Sequence, residues 1–170
     1  MSVLRIALLT GNLSHRGYGV RNAVELLSAE LAHNGNEVTV FGLSDPDWEA
    51  TDKRLWRGAR TSALPFHGPE NFGYTPALTQ AVLEFAPDII HLNGLWMYSS
   101  IVAPKIARRS GAKLVLSPHG MLAEAALGYG SIKKRAAMGT FQRSCLEAVD
   151  GFHATAEVER DEIAAIMPSP

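Results

Sequence analysis

Three segments of this sequence place a histidine where an apolar run gives way to small or polar residues. They are His91-Leu92-Asn93-Gly94-Leu95-Trp96, Ser117-Pro118-His119-Gly120-Met121-Leu122 and His153-Ala154-Thr155-Ala156-Glu157. A fourth, Gly11 to Gly19, puts Gly17-Tyr18-Gly19 directly ahead of an apolar helical stripe. Glycine lets the backbone approach a ligand closely, and a helix N-terminus offers unpaired N–H groups to an anion, so this loop suits a phosphate. It is not a P-loop, because no Gly-Lys-Ser/Thr follows, and it lacks the third glycine of the dinucleotide fingerprint. His119 is the histidine singled out for chemistry, since Pro118 and Gly120 break the strand and expose the ring. His91 and His153 fit hydrogen-bonded core positions. No short metal motif such as His-Glu-x-x-His occurs, so no metal is expected, and no pair of facing acids suggests a hydrolase.

These residues need a sheet to bring them to one edge. Leu4 to Thr10, Glu37 to Leu43, Arg60 to Phe66, Asp88 to Leu92, Lys113 to Ser117 and Gly151 to Ala154 read as strands, most of them apolar throughout. Helices lie between them. Val20, Val24, Leu27 and Leu31 form one stripe that Asn34-Gly35-Asn36 ends, and Leu78, Val82 and Phe85 repeat the spacing before Pro87. Ser99 or Ser100 is the expected cap of a helix to Arg109 that Gly111 closes, with further helices over Ser131 to Val149 and Glu157 to Ile166. Apolar strands alternating with helices predict an open, doubly wound parallel α/β sheet covered on both faces. Its ligands belong at the carboxyl ends of the strands.

Composition narrows the function. The 170 residues suit a single domain, and 46% hydrophobic with 19% charged residues excludes wholesale disorder and a coiled coil. Lys plus Arg number 16 against 17 Asp plus Glu, so no global field draws nucleic acid. The single Cys145 rules out an internal disulfide and fits a reducing cytoplasm. Two basic groups, Lys105, Arg108 and Arg109 with Lys133, Lys134 and Arg135, read first as solvated faces and second as a peripheral contact with anionic lipid at the inner face of a membrane.

In this order and spacing the glycine loop, His91-Leu92-Asn93-Gly94-Leu95-Trp96, Ser117-Pro118-His119-Gly120-Met121-Leu122 and His153-Ala154-Thr155-Ala156-Glu157-Val158-Glu159 resemble the N-terminal domain of family 4 glycosyltransferases of the GT-B fold. The resemblance implies a Rossmann-like domain over 1–166, an interdomain linker starting at 167–170, and a separate C-terminal donor-binding domain that this chain lacks. It implies retaining transfer of a sugar from a nucleotide-diphosphate donor to a glycan or lipid-linked acceptor, without a metal, and a fragment inactive alone. Gly17 and Gly19 would approach the donor diphosphate, and His119 would contact the transferring sugar or its phosphate. Asn93, Trp96 and Tyr98 would hold the acceptor, with Tyr18, Met97, Met121 and Leu122 completing an apolar cleft surface; the segment from Thr155 to Glu159 would be mainly structural. Two alternatives remain: a nucleotide-dependent oxidoreductase or epimerase, which wants an acid at the end of the second strand, and a non-enzymatic α/β interaction domain.

Overall fold

The computed structural model describes residues 3–128 and 131–167. Six parallel strands form the sheet: β1 (Arg5–Asn12), β2 (Glu37–Leu43), β3 (Arg60–Leu64), β4 (Ile89–Asn93), β5 (Lys113–Ser117) and β6 (Gly151–Phe152), in the spatial order β3-β2-β1-β4-β5-β6. The chain reverses its winding between β1 and β4, where Leu9 pairs with Leu92, and such a switch point opens a crevice beyond the strand ends.

Alternation along each strand loads both faces of the sheet. Ile6 and Leu8 of β1, with Val38 and Val40 of β2, pack on one face against Val24 of α1 (Tyr18–His33) and Trp48. Ala7 and Leu9, with Ile90 and Leu92 of β4, pack on the other against α3 (Ala77–Phe85) and α4 (Tyr98–Ser110). A short α2 (Lys53–Leu55) precedes β3, and α5 (Glu124–Gly128), α6 (Ser131–Ala137), α7 (Arg143–Glu147) and α8 (Glu157–Ile166) complete the chain. Cys145 of α7 is buried, and burial pushes its thiol up to about 12, so it packs as a small apolar side chain.

Four local expectations are corrected. Ser99 and Ser100 do not cap α4; the helix begins at Tyr98, whose N–H donates to the Phe72 carbonyl at 2.8 Å, and both serines are buried inside the first turn. The helix expected over Ser131 to Val149 carries a π-helical turn at Met138–Gln142, which turns Gln142 inward so that its Oε1 accepts from the Trp96 N–H at 2.8 Å. β6 ends at Phe152, and as an edge strand it leaves His153 exposed rather than in the core. Leu122, expected on the cleft surface, is 2% exposed and belongs to the core. Of the expected linker 167–170, Met167 follows α8 and 168–170 lie outside the described residues.

Candidate active site

The loop from β1 to α1 is built by close approach and by carboxylates. A Cβ on Gly17 would stand 2.5 Å from the Asn12 carbonyl oxygen and 2.7 Å from Arg21 Cβ, so only glycine closes this turn. Gly19 is the opposite case: nothing lies within 4 Å of where its Cβ would be. Between them Tyr18 is 80% exposed and takes φ 47°, ψ −135°, a conformation costly for a residue with a Cβ. The helix α1 opens without a side-chain cap, which leaves the N–H groups of Gly19 and Val20 with no intrahelical acceptor.

Behind this loop, Asp45 Oδ2 accepts from Asn12 Nδ2 at 2.9 Å and from Ser14 Oγ at 2.8 Å, while its Oδ1 accepts from the N–H groups of Asp47 and Trp48. Asp52 accepts from the His15 N–H at 2.6 Å, and Arg16 pairs with Asp47 and Glu70. Burial pushes the Asp45 carboxyl up, but the four hydrogen bonds outweigh it and hold the group below the usual carboxylate range. Asp45 is thus committed to the loop rather than free for ribose hydroxyls, the task an acid after β2 would have in a dinucleotide enzyme. Its side-chain partners Ser14 and Asn12 stand 31 and 33 residues away, so nothing local in the sequence announces them.

His119 follows β5 with φ 53°. Its Nε2 lies 3.0 Å from Oδ1 of Asn93, the last residue of β4, which is 3% exposed. The Asn93 Nδ2 donates to the carbonyls of His91 at 3.0 Å and Leu9 at 3.4 Å. One residue beyond His119, the Gly120 N–H donates to Oε1 of Glu159 at 2.7 Å; Oε2 accepts from the Thr155 N–H at 2.6 Å and its hydroxyl at 2.8 Å. Glu159 of α8 is 4% exposed and clamps the β5 and β6 loops together. Burial pushes its carboxyl up, yet the bonds from Thr155 and Gly120 and the neighbouring His119 hold it below the usual range. Burial lowers His119; Glu159 opposes that shift and His153 reinforces it. Replacing Glu159 with Gln leaves only one accepting oxygen for two loops, and is expected to cost about 1–3 kcal/mol. Urea denaturation checks this, and an unchanged midpoint would remove the clamp.

Three of the four non-glycine residues with left-handed backbone among the described residues, Tyr18, Trp96 and His119, stand at this one edge. Gly17, Tyr18, Gly19, Val20 and Ala23 line one wall of an open cleft of about 590 Å³, and His119, Met121 and Thr155 line the other. The structure therefore brings Gly17, Gly19 and His119 together. His91 takes no part in that cleft. It is 6% exposed, its Nε2 lies 2.8 Å from Ser117 Oγ, which in turn lies 3.1 Å from His153 Nδ1, and burial, then the charges of His153 and His119, lower its pKa to about 4.

Asn93, Trp96 and Tyr98 are not gathered into one pocket. Asn93 lies beneath His119, and Trp96 is half-buried with the Lys134 ammonium 6.0 Å from its ring centre. Tyr98 packs edge-on to Tyr74 at 4.9 Å and to Phe72 at 6.2 Å, and Phe141 meets Phe72 at 6.5 Å. This aromatic patch joins side chains from three loops and helices, so only Tyr98 of it was visible as a candidate. The basic residues also divide. Lys105 and Arg108 edge a groove with Phe141, Arg109 faces α3, Lys134 turns inward to donate to the Ala126 carbonyl, and Lys133 and Arg135 stand exposed beside Ile132.

A family model described as "Glycosyl transferase 4-like domain" matches residues 18–170. The chain belongs to this family. It is thus a glycosyltransferase-family domain, as its strand-end segments suggested. None of the curated proteins matches the chain. Among solved structures it is similar to a putative UDP-N-acetylglucosamine 2-epimerase from Listeria monocytogenes, with TM-score 0.66 and 13% identity over 100% of this chain and 44% of that one. It is also similar to the Anabaena protein HepE, solved in complex with UDP and glucose, with TM-score 0.52 and 13% identity over 97% of this chain and 50% of that one. These likenesses establish the GT-B-type, Rossmann-like fold, and the glycosyltransferase-family domain spans about half the length of either structure. No helix among its described residues is long and apolar enough to cross a membrane.

Proposed function

We propose that this domain is the N-terminal, acceptor-side half of a retaining glycosyltransferase, which moves a sugar from a nucleotide-diphosphate donor to a glycan or lipid-linked acceptor in polysaccharide or glycoconjugate synthesis. The observation that carries the reading is the cleft where the uncapped start of α1 faces His119. In such a transfer the leaving diphosphate gains negative charge while the sugar becomes oxocarbenium-like. The N–H groups of Gly19 and Val20 meet the diphosphate, the open side of Gly19 gives it room, and His119 holds the transferring sugar. The UDP and glucose in the Anabaena structure support a nucleotide-sugar donor. Acceptor rings lie on the aromatic patch of Phe72, Tyr74 and Tyr98. The reading includes no metal, and it places the domain in the cytoplasm, with Lys105, Arg108, Lys133, Arg135 and the 82% exposed Ile132 touching anionic lipid.

On this reading the 170-residue chain supplies only the acceptor-side half of the complete interdomain site and does not turn over by itself, and free nucleotide binds it with a Kd above about 1 mM. Turnover is measured across several nucleotide sugars with mixed glycan acceptors, for this chain and for the full-length enzyme carrying a donor-binding domain. Product from the full-length enzyme alone is the expected result. Product from this chain alone would overturn the division of labour, and no product from either would overturn the transferase reading.

A further inference from the structure

We infer that Asn93 is a positioning residue that holds His119 as the Nε2–H tautomer and leaves Nδ1 as a hydrogen-bond acceptor for a neutral hydroxyl. The orientation of the amide carries this. An asparagine side chain has two N–H donors on one atom and an accepting oxygen on the other. The atom facing the carbonyls of His91 and Leu9, at 3.0 and 3.4 Å, has to be the nitrogen, because an oxygen there would meet two other oxygens with no proton between them. The oxygen is then the atom 3.0 Å from His119 Nε2, and only an N–H on the ring makes that contact a bond.

Asn93 cannot swing away from this arrangement at low cost. It is 3% exposed at the end of β4, and its backbone is in register with Ser117 of β5, two residues before His119. A neutral imidazole carries one N–H, so fixing it on Nε2 leaves a lone pair on Nδ1. His119 lines the cleft with Nε2 already engaged, and its Nδ1 has no hydrogen-bond partner among the described residues. A lone pair repels a phosphate oxygen and accepts from a hydroxyl. The tautomer belongs to the chain itself; the assignment of a sugar hydroxyl to Nδ1 rests on the transferase reading. The charged groups facing His119 are Glu159 from α8, which favours the protonated ring, and His153 beyond β6, which disfavours it.

The test is two-bond proton–nitrogen correlation on the 170-residue chain labelled with nitrogen-15 histidine, at about pH 8 where imidazoles are neutral, with His119 assigned by the loss of its signals in His119→Gln. The expected spectrum shows Nε2 protonated and Nδ1 bare, with an Nε2 proton shielded from exchange with water. That proton is lost to exchange in Asn93→Leu and retained in Asn93→Asp, whose carboxylate still accepts. A wild-type spectrum with the proton on Nδ1, or an Nε2 proton equally shielded in Asn93→Leu, overturns the inference; the wild-type arm stands even if Asn93→Leu does not fold. These readings need no donor, so they survive or fail independently of the transferase reading. In the full-length enzyme, kcat/KM falls as acid protonates His119, because Nδ1 then ceases to accept. A rate that rises on the same titration would assign Nδ1 to an anionic oxygen and overturn the hydroxyl.

Discussion

Replacing His119 with alanine in the full-length enzyme is expected to lower kcat by about a hundredfold, the scale for removing one hydrogen-bonding group at a centre where charge develops. The ring is half-buried in the wall of the cleft and is held from behind by Asn93. The fold survives the change, with a stability loss of about 1–2 kcal/mol because the buried Asn93 oxygen loses its donor. Initial rates at saturating donor, measured well below the melting temperature, separate the two effects. A variant with a near-normal rate would remove His119 from the site.

His91 acts in the other currency. Its pKa of about 4 lies far below the ordinary 6.5, chiefly because the ring is buried, with His153 and His119 adding to the shift. The unfolded chain therefore takes up a proton near pH 6.5 and the folded chain not until about pH 4, so stability falls as pH drops through that window and levels off beneath it. The expected loss attributable to this residue is about 3 kcal/mol, from roughly 1.4 kcal/mol per pH unit. Urea melts at pH 7 and pH 4 of the wild type and of His91→Gln check it. The variant's stability should change less between the two conditions by about that amount, and an unaltered difference would show that another group drives the acid sensitivity. His91, in the middle of β4, is expected to act through folding, and His119, two residues beyond the end of β5, through chemistry.

The strands of this domain were legible because a parallel sheet with both faces covered writes itself as short apolar runs, as in Ile6 to Leu9 or Leu114 to Leu116. The break of the chain at His119, at the edge of the cleft, was legible from Pro118 and Gly120 beside it. Asn93 was expected as an acceptor contact, and its hydrogen bonds were not legible, because they run to a ring 26 residues away and to two carbonyls on different strands. Glu159 was legible only as structural, yet its carboxylate joins loops that share no local signal. The start of α4 was misread for a related reason. Serine is the better cap in isolation, but the carbonyl of Phe72 takes the first N–H, so the helix opens before either serine is reached.

On the proposed reading, the carboxylates gathered behind the β1 loop set how a donor diphosphate would be received. A loose loop of this length would lose about 1–2 kcal/mol of backbone freedom for each residue ordered around a ligand. Here Asn12, Ser14, His15 and Arg16 are each already held by Asp45, Asp47, Asp52 or Glu70. The loop is pre-organised, and that entropy is lost during folding rather than at the moment of association. Severing the knot at Asp45 would therefore appear first as a faster dissociation rate for the diphosphate, with the encounter rate little changed.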